Sequence, residues 1–190
     1  HPTSSRRRRA LRPERAHPGA SQLLHSMGVP ALLLGRVNNV LDWNRSGHLL
    51  LAGHVDADAP SRPADRPNNI RMLFLDPHTR ELYSDWDDEA ALAVASLRYT
   101  AAQFADDPRL ASLVGELSLK SPVFTRLWAG HMVRLCTSGI KRFAHPAVGD
   151  LTLGYEVLHL PDGDGQRILA FSAPGGSASA VASMHSQGAS

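Results

Sequence analysis

The apolar residues of this chain fall into short blocks whose spacing changes along its length. Ala31-Leu32-Leu33-Leu34 and Val40-Leu41-Asp42-Trp43 are compact runs separated by Gly35 to Asn39. Asn tolerates the positive φ of a tight turn, so the pair predicts a β-hairpin. Asn44 then stands where a helix beginning at Arg45 needs a cap. Prolines and aspartates between Asp56 and Pro67 predict a surface loop. From Trp86 the period lengthens: Trp86, Ala90, Ala93, Leu97, Ala101 and Phe104 recur at steps of four and three, one stripe of a long amphipathic helix. Asp107-Pro108 and Ser121-Pro122 each place a capping side chain ahead of a proline at the first helical position. The first of these helices carries Leu110, Leu113, Val114 and Leu117 inward, the second Phe124, Leu127 and Trp128. The period then shortens to two. Ile140 to Ala144, Leu151 to Leu160 and Arg167 to Ser172 predict strands, with Leu151, Leu153, Tyr155 and Val157 alternating with Thr152, Gly154 and Glu156. Asp162-Gly163-Asp164-Gly165 supplies a turn, so the last three strands form a meander. Together with the hairpin this is an α+β chain of about five antiparallel strands, its helices inserted between the second and third.

Composition adds limits. At 190 residues, 43% hydrophobic and 20% charged, the chain suits one folded domain with tails. The Arg/Pro/Ser/Gly-rich residues 1–19 predict a basic arm, 20–175 the folded unit, and 176–190 a Gly/Ser/Ala tail. No apolar run approaches the roughly 18 residues of a membrane helix. Arg6 to Arg9 are followed by Leu-Arg-Pro-Glu-Arg rather than an apolar stretch, which argues against a secretion signal. The single cysteine, Cys136, excludes an internal disulfide, and a cytoplasmic location is expected. Arg6, Arg7, Arg8, Arg9, Arg12 and Arg15 hold much of the positive charge, leaving a mildly acidic body. That arm is either a weak phosphate-binding element or a solvated linker.

Candidate chemistry is sparse. His131, Cys136 and His145 make the best metal cluster among ten histidines, but their spacing matches no standard zinc pattern. There is no phosphate-cradling glycine loop, and Ser46, Ser121 and Ser138 are explained as helix or turn residues rather than nucleophiles. Asp85, Asp87, Asp88 and Glu89 form an acidic run that is either a cation or partner site or, as preferred, solvated charge complementing the positive end of the long helix. Neither an enzyme nor a resident cofactor or metal is expected.

More specific are several strings in order. Leu34-Gly35-Arg36 through Leu41-Asp42-Trp43-Asn44, Asn69 to Pro77, Asp106 to Ser118, Ser121 to Trp128, and above all Ser138-Gly139-Ile140-Lys141-Arg142-Phe143-Ala144-His145-Pro146 running on to Leu160-Pro161 span roughly residues 21–177. They resemble the ligand-binding domain of MmyB-like transcription regulators. The resemblance implies a PAS-like sheet with a pocket between sheet and helices for a fatty-acid-like or other apolar small molecule. It also implies an N-terminal helix-turn-helix that reads DNA as a dimer. A small-molecule-sensing regulatory domain, working as a homodimer, is therefore expected. DNA is reached only through a helix-turn-helix that the roughly twenty residues ahead of the domain are too few to form. Trp43, Phe74, Trp128, Phe143 and Tyr155 are the expected apolar ligand contacts, with Arg71 or Arg142 for a polar end. The alternative is a PAS-like dimerisation or protein-interaction module with no ligand.

Overall fold

The computed structural model describes residues 11–162, 164–173 and 183; Arg6 to Arg9 and most of the expected C-terminal tail lie outside them. The hairpin forms as β1 (Ala31–Leu34) and β2 (Val40–Trp43), with Asn38 at φ +68° in its turn. Ahead of it, α1 (Pro18–Ser26) begins inside the segment read as an arm, and its N-cap His17 donates its backbone N–H to Gln166 at 3.0 Å. Behind it comes α2 (Arg45–Ala52), capped by Asn44 as its sequence requires. Two short helices follow, α3 (Asn69–Leu75) and α4 (Pro77–Leu82). The three helices predicted in the middle are α5 (Trp86–Gln103), α6 (Pro108–Lys120) and α7 (Pro122–Ala129). Asp107 and Ser121 cap α6 and α7 through Arg109 N and Phe124 N. The meander is β3 (Ser138–His145), β4 (Gly149–His159) and β5 (Arg167–Ser172).

All five strands join one antiparallel sheet in the order β2-β1-β5-β4-β3. This is a PAS-like α+β arrangement, with α2 to α7 inserted between the second and third strands. The last strand closes on the first: Leu34 lies opposite Arg167 and Leu32 opposite Leu169. Because side chains alternate across a strand, this register fixes which residues share a face. Leu32, Leu34, Leu169, Phe171, Phe143, Leu151 and Leu153 pack towards α2–α5, while Ala31, Leu33, Leu41, Ile168 and Ala170 pack under α1. β1 and β5 are thus covered on both faces. A second apolar cluster joins α5, α6 and α7 through Val94, Leu97, Leu113, Leu117 and Phe124.

Asn44 ties three elements together at the sheet's edge. Its buried Oδ1 accepts from Ala31 N at 3.0 Å and Gly47 N at 2.9 Å, and its Nδ2 donates to the carbonyls of Leu24 and Val29. At Gly47 a Cβ would stand 2.4 Å from the Ala31 carbonyl oxygen, so only glycine lets α2 approach β1 this closely. Asn44→Ala removes the cap and strands buried partners, and is expected to lower stability by about 3 kcal/mol. Urea unfolding measures this; a loss below roughly 0.5 kcal/mol, ordinary for a surface change, would show that these bonds are replaceable.

Candidate functional site

A cavity of about 350 Å³ lies between α5 and the sheet. One stripe of α5 roofs it: Glu89, Leu92, Ala93, Ser96, Thr100 and Gln103, at the three- and four-residue steps of a helix face. This stripe is more polar than the buried face of the same helix, Trp86, Ala90, Val94 and Leu97, whereas Ala93 and Phe104 of the expected apolar stripe line the cavity. The floor is Leu34 from β1, Leu169 from β5 and Val157 from β4, with Lys141 entering from β3 and Arg167 from the start of β5. Leu135 and Cys136, on the segment leading into β3, close one side.

Two cations stand in this wall, and their surroundings differ. Lys141, 9% exposed, is ion-paired with Glu89, and its ammonium lies 4.5 Å from the centre of the Tyr155 ring. Arg167, equally buried, has no carboxylate partner among the described residues. Its Nη1 donates to the Gly35 carbonyl at 3.0 Å and its Nη2 to Asn38 Oδ1, both neutral acceptors. Glu14 acts on it only at a distance, being held instead by Arg109 and the Arg36 backbone N–H. Burial lowers the Arg167 pKa to about 10, so the guanidinium stays charged at neutral pH. Nearby His159 is held below the ordinary imidazole value, first by desolvation and then by the Arg167 charge.

A clamp lies beside the cavity at the α5 C-terminus, where Phe104 lines it. The Arg36 guanidinium lies 3.8 Å from the centre of the Phe104 ring, pairs with Asp107 Oδ2 at 3.0 Å, and pairs with Asp164 on the β4–β5 turn. Arg109 also holds Asp107, whose carboxyl is pulled down to about 2, chiefly by the Arg109 hydrogen bond.

The residues expected to contact a ligand are distributed differently. None of the seven is among those lining this cavity. Tyr155 comes nearest, backing the wall: its hydroxyl accepts from the Cys136 thiol at 3.4 Å, and burial raises its pKa. Phe143 is fully buried between Tyr83 and Phe171, with ring centres 5.1 and 5.8 Å away. Phe74 and Trp128 meet on Phe124 within the helical cluster. Trp43 anchors the loop after α2 through Nε1 to the Ala57 carbonyl at 2.8 Å. It also lines a second hollow, about 1360 Å³, walled largely by residues 12–16 and 57–66 and not roofed by α5. Arg71 forms a forked pair with Glu116 between α3 and α6, and Arg142 pairs with Asp85 on the surface. Of the cysteine and histidines singled out, Cys136 is on Tyr155 and His145 Nε2 is 2.8 Å from the Leu49 carbonyl. No group of three or more metal-capable side chains occurs among the described residues.

The alternation of β5 carried an overlooked signal. Arg167 is in phase with Leu169 and Phe171, as Lys141 is with Phe143, so both charges occupy core-facing positions.

The family of MmyB-like transcription regulator ligand binding domains matches residues 16–186. The chain belongs to that family. No curated protein matches it. The MmyB-like family is one of regulatory ligand-binding domains rather than enzymes, and membership implies a small-molecule partner. Among the described residues of this MmyB-like domain, no helix is long and apolar enough to cross a membrane.

The clamp predicts an acid dependence. Because the folded-state pKa of Asp107 is depressed from 3.8 to about 2, its stabilisation is present above 3.8 and is lost as pH falls through about 2. Asp107→Asn, which keeps a capping side chain, is expected to remove about 2 kcal/mol at neutral pH and to flatten stability between those values. Unfolding free energies across that range, wild type against variant, check it; parallel curves would show that the charge contributes nothing.

Proposed function

We propose that this domain is the sensing part of a transcription regulator and that it holds a fatty-acid-like amphiphile between α5 and the sheet, its acidic head on Arg167. The observation carrying this reading is a charged, buried guanidinium in a cavity wall with only neutral acceptors around it. Burying a charge is costly without a counter-charge, and a carboxylate accepts two parallel N–H bonds from guanidinium. The volume is at the lower end of the ~300–1,000 Å³ typical of small-molecule sites. An acyl chain of about twelve methylenes on Leu34, Leu169 and Val157 gains on the order of 10 kcal/mol before association costs, enough for micromolar affinity. Such a ligand regulates by favouring one arrangement of α5 over another.

A ligand-free dimerisation module has its own support in Ile140 and Leu158, exposed on the outer face of β3 and β4. A buried cation in this cavity wall with no carboxylate partner among the described residues serves no purpose in that reading, which is why sensing is preferred.

Displacement of a fluorescent fatty-acid probe by dodecanoic acid, on delipidated protein, tests the proposal. Saturable micromolar binding is expected. Arg167→Gln weakens it by about tenfold or more, the worth of a charge-assisted bond, while Arg71→Gln leaves it unchanged. Ser96→Trp fills the cavity without touching the Arg167 bonds and abolishes binding. Displacement that does not saturate, or that survives Ser96→Trp, overturns the reading.

A further inference from the structure

Resting on that reading, the other end of the same cavity narrows the class of ligand. Lys141 lies opposite Leu153 on β4, and Arg167 opposite His159. From Leu153 to His159, at ~3.3 Å per residue, the two registers are roughly 20 Å apart along the strand. The roof has a matching span: Glu89 to Gln103 of α5, at ~1.5 Å per residue, covers roughly 21 Å. The cavity therefore runs lengthwise from Arg167 to the Lys141–Glu89 pair, over an apolar floor. Ser96, Tyr99 and Thr100 add hydroxyl groups along the roof.

A simple fatty acid suits the first end and the floor but not the second end. Its terminal methyl would strip water from an ammonium and a carboxylate and return no hydrogen bond, and partly desolvated charges are expensive. A hydroxyl at the same place donates to Glu89 and accepts from Lys141. A second carboxylate would instead meet the negative charge of Glu89. We infer that the ligand is two-ended, a medium-chain acid whose carboxylate meets Arg167 and whose far end carries a neutral hydrogen-bonding group that bridges Lys141 and Glu89.

The test compares dodecanoic acid, its ω-hydroxy derivative and dodecanedioic acid by the same displacement titration. Homologues from about eight to about sixteen carbons allow the chain to find its length within the roughly 20 Å span. At its best length the hydroxy acid is expected to bind about tenfold more tightly than the unsubstituted acid, one well-made hydrogen-bonded bridge. The diacid is expected to be weaker than the hydroxy acid. In the double variant Glu89→Leu, Lys141→Met, which replaces the pair by apolar side chains, the hydroxy acid's advantage should vanish while dodecanoic acid still binds. Equal affinities in the wild-type protein at every length overturn this inference and leave the sensing reading standing. A hydroxy-acid preference that persists in the double variant also overturns it, and binding of none of the acids removes both.

Discussion

The pairing of β5 with β1 is the constraint on which the rest of the molecule depends. It joins segments more than a hundred residues apart, and it makes one sheet of a hairpin and a meander that are each only locally complete. A two-stranded hairpin is barely stable alone, so β1 depends on β5 for hydrogen bonds and burial, and β2 depends on it through β1. The same register sets Leu34 opposite Arg167 and brings the guanidinium onto Gly35 and Asn38. The turn that forms the hairpin thereby holds a charge in the cavity. Asn68 adds to this by donating to the Val37 carbonyl and capping α3, which fixes the start of the helical layer against the turn.

The two faces of the sheet are treated differently. Under α1 the packing is aliphatic and closed, whereas below α5 it is interrupted by a cavity containing Arg167, Lys141 and Glu89. Replacing buried charges by well-packed apolar groups is often neutral or stabilising, so their presence here asks for a reason other than stability. Recognition of the small-molecule partner that membership of the family implies is such a reason. The helix that roofs the cavity is also the one whose Val94 and Leu97 pack into the α6–α7 cluster. A molecule that shifts α5 must therefore also disturb helices that it does not touch, because a close-packed interior transmits displacement. At the far end, Arg36 links Phe104 to Asp107 and Asp164, so the α5–α6 junction and the β4–β5 turn respond together.

Elements whose signals are local were legible in the sequence. The hairpin, the Asn44 cap, the Asp107-Pro108 and Ser121-Pro122 helix starts and the alternating meander all depend on neighbours within a few residues, and all formed. Helices α3 and α4 span only Asn69–Leu75 and Pro77–Leu82, too short for a helical period to show, and α1 starts among Pro, His and Gly residues that read equally as an arm. The cavity was legible only as a location between sheet and middle helices. Large aromatics were the natural lining to expect, but Phe143 and Phe74 fill the core because their size contributes most when fully enclosed. Arg71 and Arg142 found carboxylates on neighbouring elements, Glu116 and Asp85.

The sequence by itself determined the order and type of most elements, the family, and the presence of charges in phase with core positions of β3 and β5. Tertiary structure alone decided which buried charge has no counter-ion among the described residues. Arg167 is indistinguishable from any strand-initial arginine until β1 closes against β5 and α1 covers the opposite face. Only then is its side chain buried in the cavity wall with neutral acceptors and no carboxylate partner among the described residues, the arrangement on which the proposed ligand contact rests.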